Sequence, residues 1–308
     1  MITANISSHR SITQVCLVVM FIFLLASPAR SQEVVIAFED VLGPSATLDG
    51  MARTQMIISG LRRAEVEQAL FLVRTKKINP RTKNRERLVQ YDKAGHVLAS
   101  HGHDHNLFKK VNLYAYEIDL LKSNALLQDF ANYHGYFHFG YYAAGGDLNV
   151  RRKLRDFTRE NGLQPIYVNV KVDDAYLNQR YIEQVNANRR VDMAALEKVY
   201  VDMVWQGLVN YYQYAIPTVE HPRIILLLQE NDLAAYFIAP LMEKILEQGW
   251  RIASPNAAFS YPKISHAPIG LQNGDGYMAA LTGIDLMAKD LPLYHHNPAA
   301  INYFQHAP

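Results

Sequence analysis

The feature that most constrains this chain is an alternation. Short apolar runs recur between segments of helical period, and most of the runs end in polar residues. "EVVIAF" (33–38) ends in Glu39-Asp40, "QALFLV" (68–73) leads into a basic, polar connection, and "HVLAS" (96–100) ends in a cluster holding His101, His103, Asp104 and His105. "YFHFGYY" (136–142), "PIYVNVKV" (165–172), "RIILLL" (223–228) and "RIAS" (251–254) continue the series. Runs without polar alternation read as strands buried on both faces. Between them, Met51, Met56, Ile57 and Leu61 share a helical face, and a short helix from Arg87 to Ala94 stops at Gly95. Helices are also expected over 115–130 and 149–162, and Leu196, Val199, Tyr200, Met203, Val204 and Leu208 mark a long one. A helix from Asp232 to Gln248 contains Pro240, which kinks it or marks its true start. Strand and helix in alternation predict an α/β fold, a mostly parallel sheet or barrel covered by helices. No repeat, linker or low-complexity segment divides it, so a single domain is expected.

The N-terminus departs from this pattern. Arg10 precedes an uncharged apolar run from Val15 to Ala26, followed by "SPARSQE". That is the layout of a signal peptide over 1–31, too short to span a bilayer comfortably, which takes roughly 20 residues. Export to the periplasm or outside the cell is therefore expected, with no stable membrane span after cleavage. Cleavage would remove Arg10 and Arg30 from 31 Lys+Arg and nothing from 29 Asp+Glu, leaving 29 against 29. A chain of zero net charge is not a nucleic-acid binder by its overall field. The single cysteine, Cys16, would leave with the signal, so stability must come from core burial.

In folds of this kind the chemistry collects where parallel strands end. The residues found there are Glu39-Asp40, the histidine cluster, His138, Asp173-Asp174 and Gln229-Glu230-Asn231-Asp232. In a helical turn His101 and His105 share a face and His103 points away; in an extended segment all three line one side. Two imidazoles and a nearby carboxylate suit a divalent ion, Zn²⁺ first, with positions open for water. Asp40 is the natural third ligand, which leaves Glu39 as a base.

These segments together resemble the polysaccharide deacetylases of the NodB-homology type, carbohydrate esterase family 4, in their exported bacterial form. "VVIAFEDVLGP" is similar to the family's Thr-Phe-Asp-Asp-Gly-x-Pro motif, and "AGHVLASHGHDHNLF" to its paired-histidine motif. "YFHFGYYAAGGDLNVRRKLRDF", "IYVNVKVDDAYLNQRY" and "IILLLQENDLAAYFIAPLMEKILEQGWRIAS" resemble later segments, in the same order. The resemblance implies a distorted (β/α) barrel over 32–262, a metal site of Asp40, His101 and His105, and an acetylated polysaccharide or oligosaccharide as partner. It leaves 263–308, with His266, His295, His296 and His306, as an extension without an assigned role.

The departures are equally specific. Glu39 stands where the family has an aspartate base; it is one methylene longer, and a misplacement of about 1 Å can cost roughly 10²-fold in rate. His138 stands where an arginine holds that base, and Gly140 where a proline follows. Ala175 replaces a tryptophan beside the retained Asp174, and Gln229 stands where a histidine serves as general acid. An amide cannot donate a proton and recover it, and general acid catalysis is typically worth about 10²–10⁴. The expectation is a metal-dependent hydrolase, with Glu39 and Asp174 catalytic and His138 and Gln229 altered, that removes O-acetyl esters better than N-acetyl amides. The alternative is an inactive homologue that keeps the metal and binds glycan or an envelope partner.

Overall fold

The computed structural model describes residues 32–104, 112–138, 148–168, 170–215, 224–260 and 303. The signal-peptide region with Cys16, His105, and residues 263–308 apart from Tyr303 lie outside that set. At the centre stands β1 (Glu33–Val41), whose Val34 to Phe38 are wholly buried. On one side it pairs with β7 (Ile224–Gln229), residue for residue from Val34↔Ile224 to Glu39↔Gln229. On the other side come β2 (Leu70–Val73), β3 (Val97–Ser100), β4 (Tyr133–His138) and β5 (Gln164–Ile166). β6 (Val170–Lys171) flanks β7, and β8 (Arg251–Ile252) pairs with the first residues of β1. Every pairing is parallel.

The run "PIYVNVKV", expected as one strand, is two. β5 pairs with β4 at one edge of the sheet, and β6 pairs with β7 at the other. Only residues 167–169 lie between them, a span of at most about 14 Å from Ile166 to Val170. The two edges are therefore drawn together by one short segment. That makes the sheet a distorted (β/α) barrel, as the resemblance implied, where the strand–helix alternation alone had left sheet or barrel open.

Alternate residues on each strand serve two separate apolar clusters. Val34, Ile36, Phe38, Phe71, Leu98, Phe137, Leu226 and Leu228 face outward to the helices. Val35, Ala37, Leu70, Leu72, Val97, Ala99, Ile166, Val168, Ile225 and Leu227 fill the barrel. This is why the strands read as continuous apolar runs: both faces are dry. The short helix α8 (Pro255–Phe259) adds Ala258 and Phe259 to the inner cluster, and the preceding Ala253 donates to the Val34 carbonyl at the amino end of β1.

The other helices are α1 (Gly50–Arg63), α2 (Asn84–Lys93), α3 (Leu113–Leu127), α4 (Leu148–Glu160), α5 (Asp174–Asn186), α6 (Met193–Ala215) and α7 (Asp232–Glu247). Asp49, Asn112, Asp173 and Asn231 cap α1, α3, α5 and α7 through their side chains. Pro240 lies inside α7 and does not start it, because the Asn231 cap fixes the first turn. Gly60 lets α1 approach α7: a Cβ there would stand 2.4 Å from Ile238 Cγ2. No described helix is long and apolar enough to cross a membrane.

Candidate active site

The inward-facing positions change character at the carboxyl ends of the strands. Val35 and Ala37 are followed by Glu39, Ile225 and Leu227 by Gln229, Val97 and Ala99 by His101, and Tyr136 by His138. Lys171 joins them from β6, between the outward-facing Val170 and Val172. A polar rim thus stands on a dry apolar plug. The alternation that builds the core also aims these side chains.

Glu39 is 8% exposed and pairs with Lys171, whose Nζ meets Oε1. Gln229 is its partner on β7, and the Gln229 backbone N–H donates to Asp174 Oδ2 at 2.9 Å. Asn231 Nδ2 donates to the same oxygen at 3.1 Å. Asp174 is 1% exposed, and burial raises its carboxyl to about 7. The Glu39 charge pushes it the same way, while Lys171 and the two hydrogen bonds oppose the rise. Glu39, Gln229 and Asp174 are therefore brought together, with Lys171 as an added partner.

His101 and His138 form the other half of the rim. Both are buried, with ring centroids 5.1 Å apart and Nδ1 atoms 3.4 Å apart. Burial lowers the His101 imidazolium to about 4, so the ring is neutral at pH 7. Its Nδ1 also lies 3.4 Å from the His138 carbonyl oxygen. A proton held there leaves Nε2 as the lone-pair donor, the arrangement usual for a metal-binding histidine. Asp40 is the second expected ligand. Its carboxylate is half exposed and lies 3.6 Å from Arg74 Nη1 and 3.7 Å from Lys77 Nζ. These are loose contacts that an arriving ion could replace.

The donor chemistry of Asp40 and His101 therefore fits a divalent cation, while His105, the third expected ligand, lies outside the described residues. Among the described residues no three His, Cys, Asp or Glu side chains are grouped to hold an ion. Neither of the two conformations open to the histidines, a helical turn or an extended strand, is formed from His101 to Asp104. The chain leaves β3 through Gly102 at φ +77° and bends, and Asp119 of α3 accepts from the backbone N–H of both His103 and Asp104 at 2.8 Å. His103 turns to Thr75, with Nδ1 3.0 Å from Oγ1.

The expected cluster Gln229-Glu230-Asn231-Asp232 is split by the structure. Only Gln229 belongs to the rim. Glu230 and Asp232 are buried behind β1, against α1 and α2. Arg87 meets both Glu230 oxygens at 2.5 and 2.7 Å, and Arg53 meets Asp232 at 3.0 Å. Glu230 also accepts from Tyr91 and from Leu42 N, and Asp232 from Thr47 and Leu48 N. Arg53 and Arg87 both donate to the Gly43 carbonyl. The network fastens residues 42–48, which follow Asp40 at φ +52° and begin with Leu42 at +69°. Such conformations cost a non-glycine residue about 1–2 kcal/mol and need an imposed environment.

Lys171, Arg74, Lys77 and the Arg87–Glu230 pair were not foreseen. Lys171 carried a faint signal, a charge inside the apolar "VNVKV" at inward parity. Arg87 carried none, because its partner is 143 positions away.

Structural comparison places the fold among known ones. The Bc1960 peptidoglycan N-acetylglucosamine deacetylase superimposes with a TM-score of 0.51 at 17% identity, over 76% of this chain and 90% of its own. A structure described as T48 deacetylase with substrate gives 0.49 at 16% identity, over 75% and 92%. The peptidoglycan deacetylase PdaC from Bacillus subtilis gives 0.48 at 14% identity, over 75% and 91%. The first of these carries the comparison, and at that identity it is a likeness of fold. The fold is thus the distorted barrel of the NodB-homology type. No family model and no curated protein matches the sequence.

Proposed function

We propose that this chain is an exported hydrolase that removes acetyl groups from a polysaccharide or oligosaccharide. One observation carries the reading: Glu39 and Gln229 lie side by side at the carboxyl end of the barrel, with His101 and His138 completing the rim. Asp40 and His101, with His105 four positions further along the sequence, are the residues that would hold a divalent ion, Zn²⁺ by donor type. A bound ion would polarise the acetyl carbonyl and acidify water. Glu39 then takes the proton from the attacking water, and Lys171 fixes its carboxylate against rotation out of the site. Gln229 offers the leaving atom a hydrogen bond but no proton. An alkoxide departs with less help than an amine, so O-acetyl esters are the expected substrates.

A second reading rests on the same ion pairs. Glu39 is bound by Lys171, and Asp40 faces two cations, which would leave a glycan binder without turnover if these contacts persist with substrate. The deciding experiment combines metal analysis with acetate release from O-acetylated and N-acetylated oligosaccharides, for the natural chain and for Gln229→His. The proposal expects bound metal, faster release from esters, and a gain on N-acetyl substrates of up to about 10²-fold on restoring an imidazole. Bound metal with no acetate from any substrate, in either protein, would establish the second reading.

A further inference from the structure

We infer that the mouth of the barrel is built to receive an anionic glycan, one carrying carboxylates along its chain. The inference rests on the deacetylase reading for the direction in which the glycan enters, but it stands on charge and position. Between β2 and the end of the first turn of α2, residues 74–87 hold seven Lys and Arg and one acidic residue, Glu86. Outside this segment the chain carries 24 Lys and Arg against 28 Asp and Glu, so the positive charge is a local concentration and not a reflection of overall charge. Fields of this kind are screened over roughly 8–10 Å, so they act on whatever lies at the surface beside them.

The strap is placed at the site. Arg74 and Lys77 face Asp40, and Lys76 pairs with Asp104 at 2.7 Å beside the histidine loop. Its shape is fixed by neighbours. Thr75 N and Lys76 N donate to the carbonyls of Gly102 and His103, and Asn84 Nδ2 donates to the Lys77 carbonyl at 2.7 Å. Arg87 anchors its far end through Glu230. Arg81, Lys83 and Arg85 stand exposed on it, and among the described residues none of them forms an ion pair with a carboxylate. Arg85 lies over the Phe130 ring at 5.0 Å. Arg74, Lys76 and Lys77 are thus held beside Asp40 and the histidine loop, and Arg81, Lys83 and Arg85 add exposed positive charge on the same segment. A polymer of neutral sugars can offer this segment only hydrogen bonds, whereas a polyuronate adds a charge–charge attraction at each carboxylate.

The test compares acetylated polygalacturonate with acetylated xylan of matched length. Binding of both to the full chain is measured by calorimetry at two salt concentrations, with acetate release followed in parallel. The variant carries Arg81→Gln, Lys83→Gln and Arg85→Gln, all outside the rim; a companion carries Arg81→Lys, Lys83→Arg and Arg85→Lys. The natural chain is expected to prefer the polyuronate, with affinity falling about tenfold or more from low to high salt. The glutamine variant should lose at least about tenfold on the polyuronate and little on xylan. Its release of acetate from 4-nitrophenyl acetate should not change, and the charge-conserving companion should bind as the natural chain does. Equal affinity for xylan, unchanged polyuronate binding by the glutamine variant, or equally tight binding of duplex DNA would overturn the inference. Salt-dependent polyuronate binding without acetate release from any substrate would sustain it and refute the deacetylase reading alone.

Discussion

Replacing Asp174 by asparagine should change the pH dependence of stability in a defined direction. Asp174 is buried at the start of α5, and its carboxyl is raised from 3.8 to about 7, chiefly by loss of solvation and next by the Glu39 charge. Between those two values the folded protein holds a proton that the unfolded chain has released. Stability from this group is therefore fully present below about pH 4, declines as pH rises, and levels off above about pH 7. A shift of about three units corresponds to roughly 4 kcal/mol at about 1.4 kcal/mol per unit, an upper figure for a site whose neighbours relax. Asparagine mimics the protonated form, and its side-chain oxygen can accept from the Gln229 and Asn231 donors. His96 and His101, both lowered to about 4 by burial, act in the opposite sense, gaining stability between about 4 and 6.5. The informative quantity is therefore the difference between the two proteins, which cancels the histidines. Urea unfolding from pH 4 to pH 8 should give near-equal stabilities at pH 4 and a variant several kcal/mol more stable at pH 7. A difference constant across that range to within about 0.5 kcal/mol would refute the reasoning.

Three further outcomes follow from the packing. Arg87→Met should cost about 3–5 kcal/mol in urea unfolding, because it strips the main counter-charge from Glu230, whose side chain is fully buried; a loss below about 1 kcal/mol would show that Arg53 suffices. Lys171→Met should lower kcat for ester hydrolysis by about 10-fold or more with little change in KM, and Lys171→Arg should recover most of it. Equal losses in both variants would remove Lys171 from the positioning of Glu39. Gly60→Ala should lower stability by about 1–3 kcal/mol, because its Cβ must displace Ile238 where α1 crosses α7; an unchanged denaturation midpoint would mean that the crossing is soft.

The apolar runs located β1, β2, β3 and β7, because a strand buried on both faces is apolar along its length. The polar residues that end those runs, Glu39, His101 and Gln229 among them, could be read as rim candidates from their order alone. Which of them turn inward came from the two apolar clusters of the folded barrel. Helix starts were legible where a side chain caps its own chain, as at Asn231, whose bond to Ala234 N starts α7 ahead of Pro240. Sequence order could not reveal the break of one expected strand into β5 and β6. That break depends on closure of the barrel between two distant edges, each demanding its own hydrogen-bond partners.

Charge partners were the other thing only the tertiary structure decided. Glu230 and Asp232 look in sequence like more rim residues beside Gln229. Their places are set by Arg87 and Arg53, 143 and 179 positions away, and a buried carboxylate goes where a cation can neutralise it. Lys171 likewise acquires its role only because β6 lies two strands from β1. Periodicity is a property of neighbouring residues and is written in the chain; the pairing of charges is a property of the closed barrel.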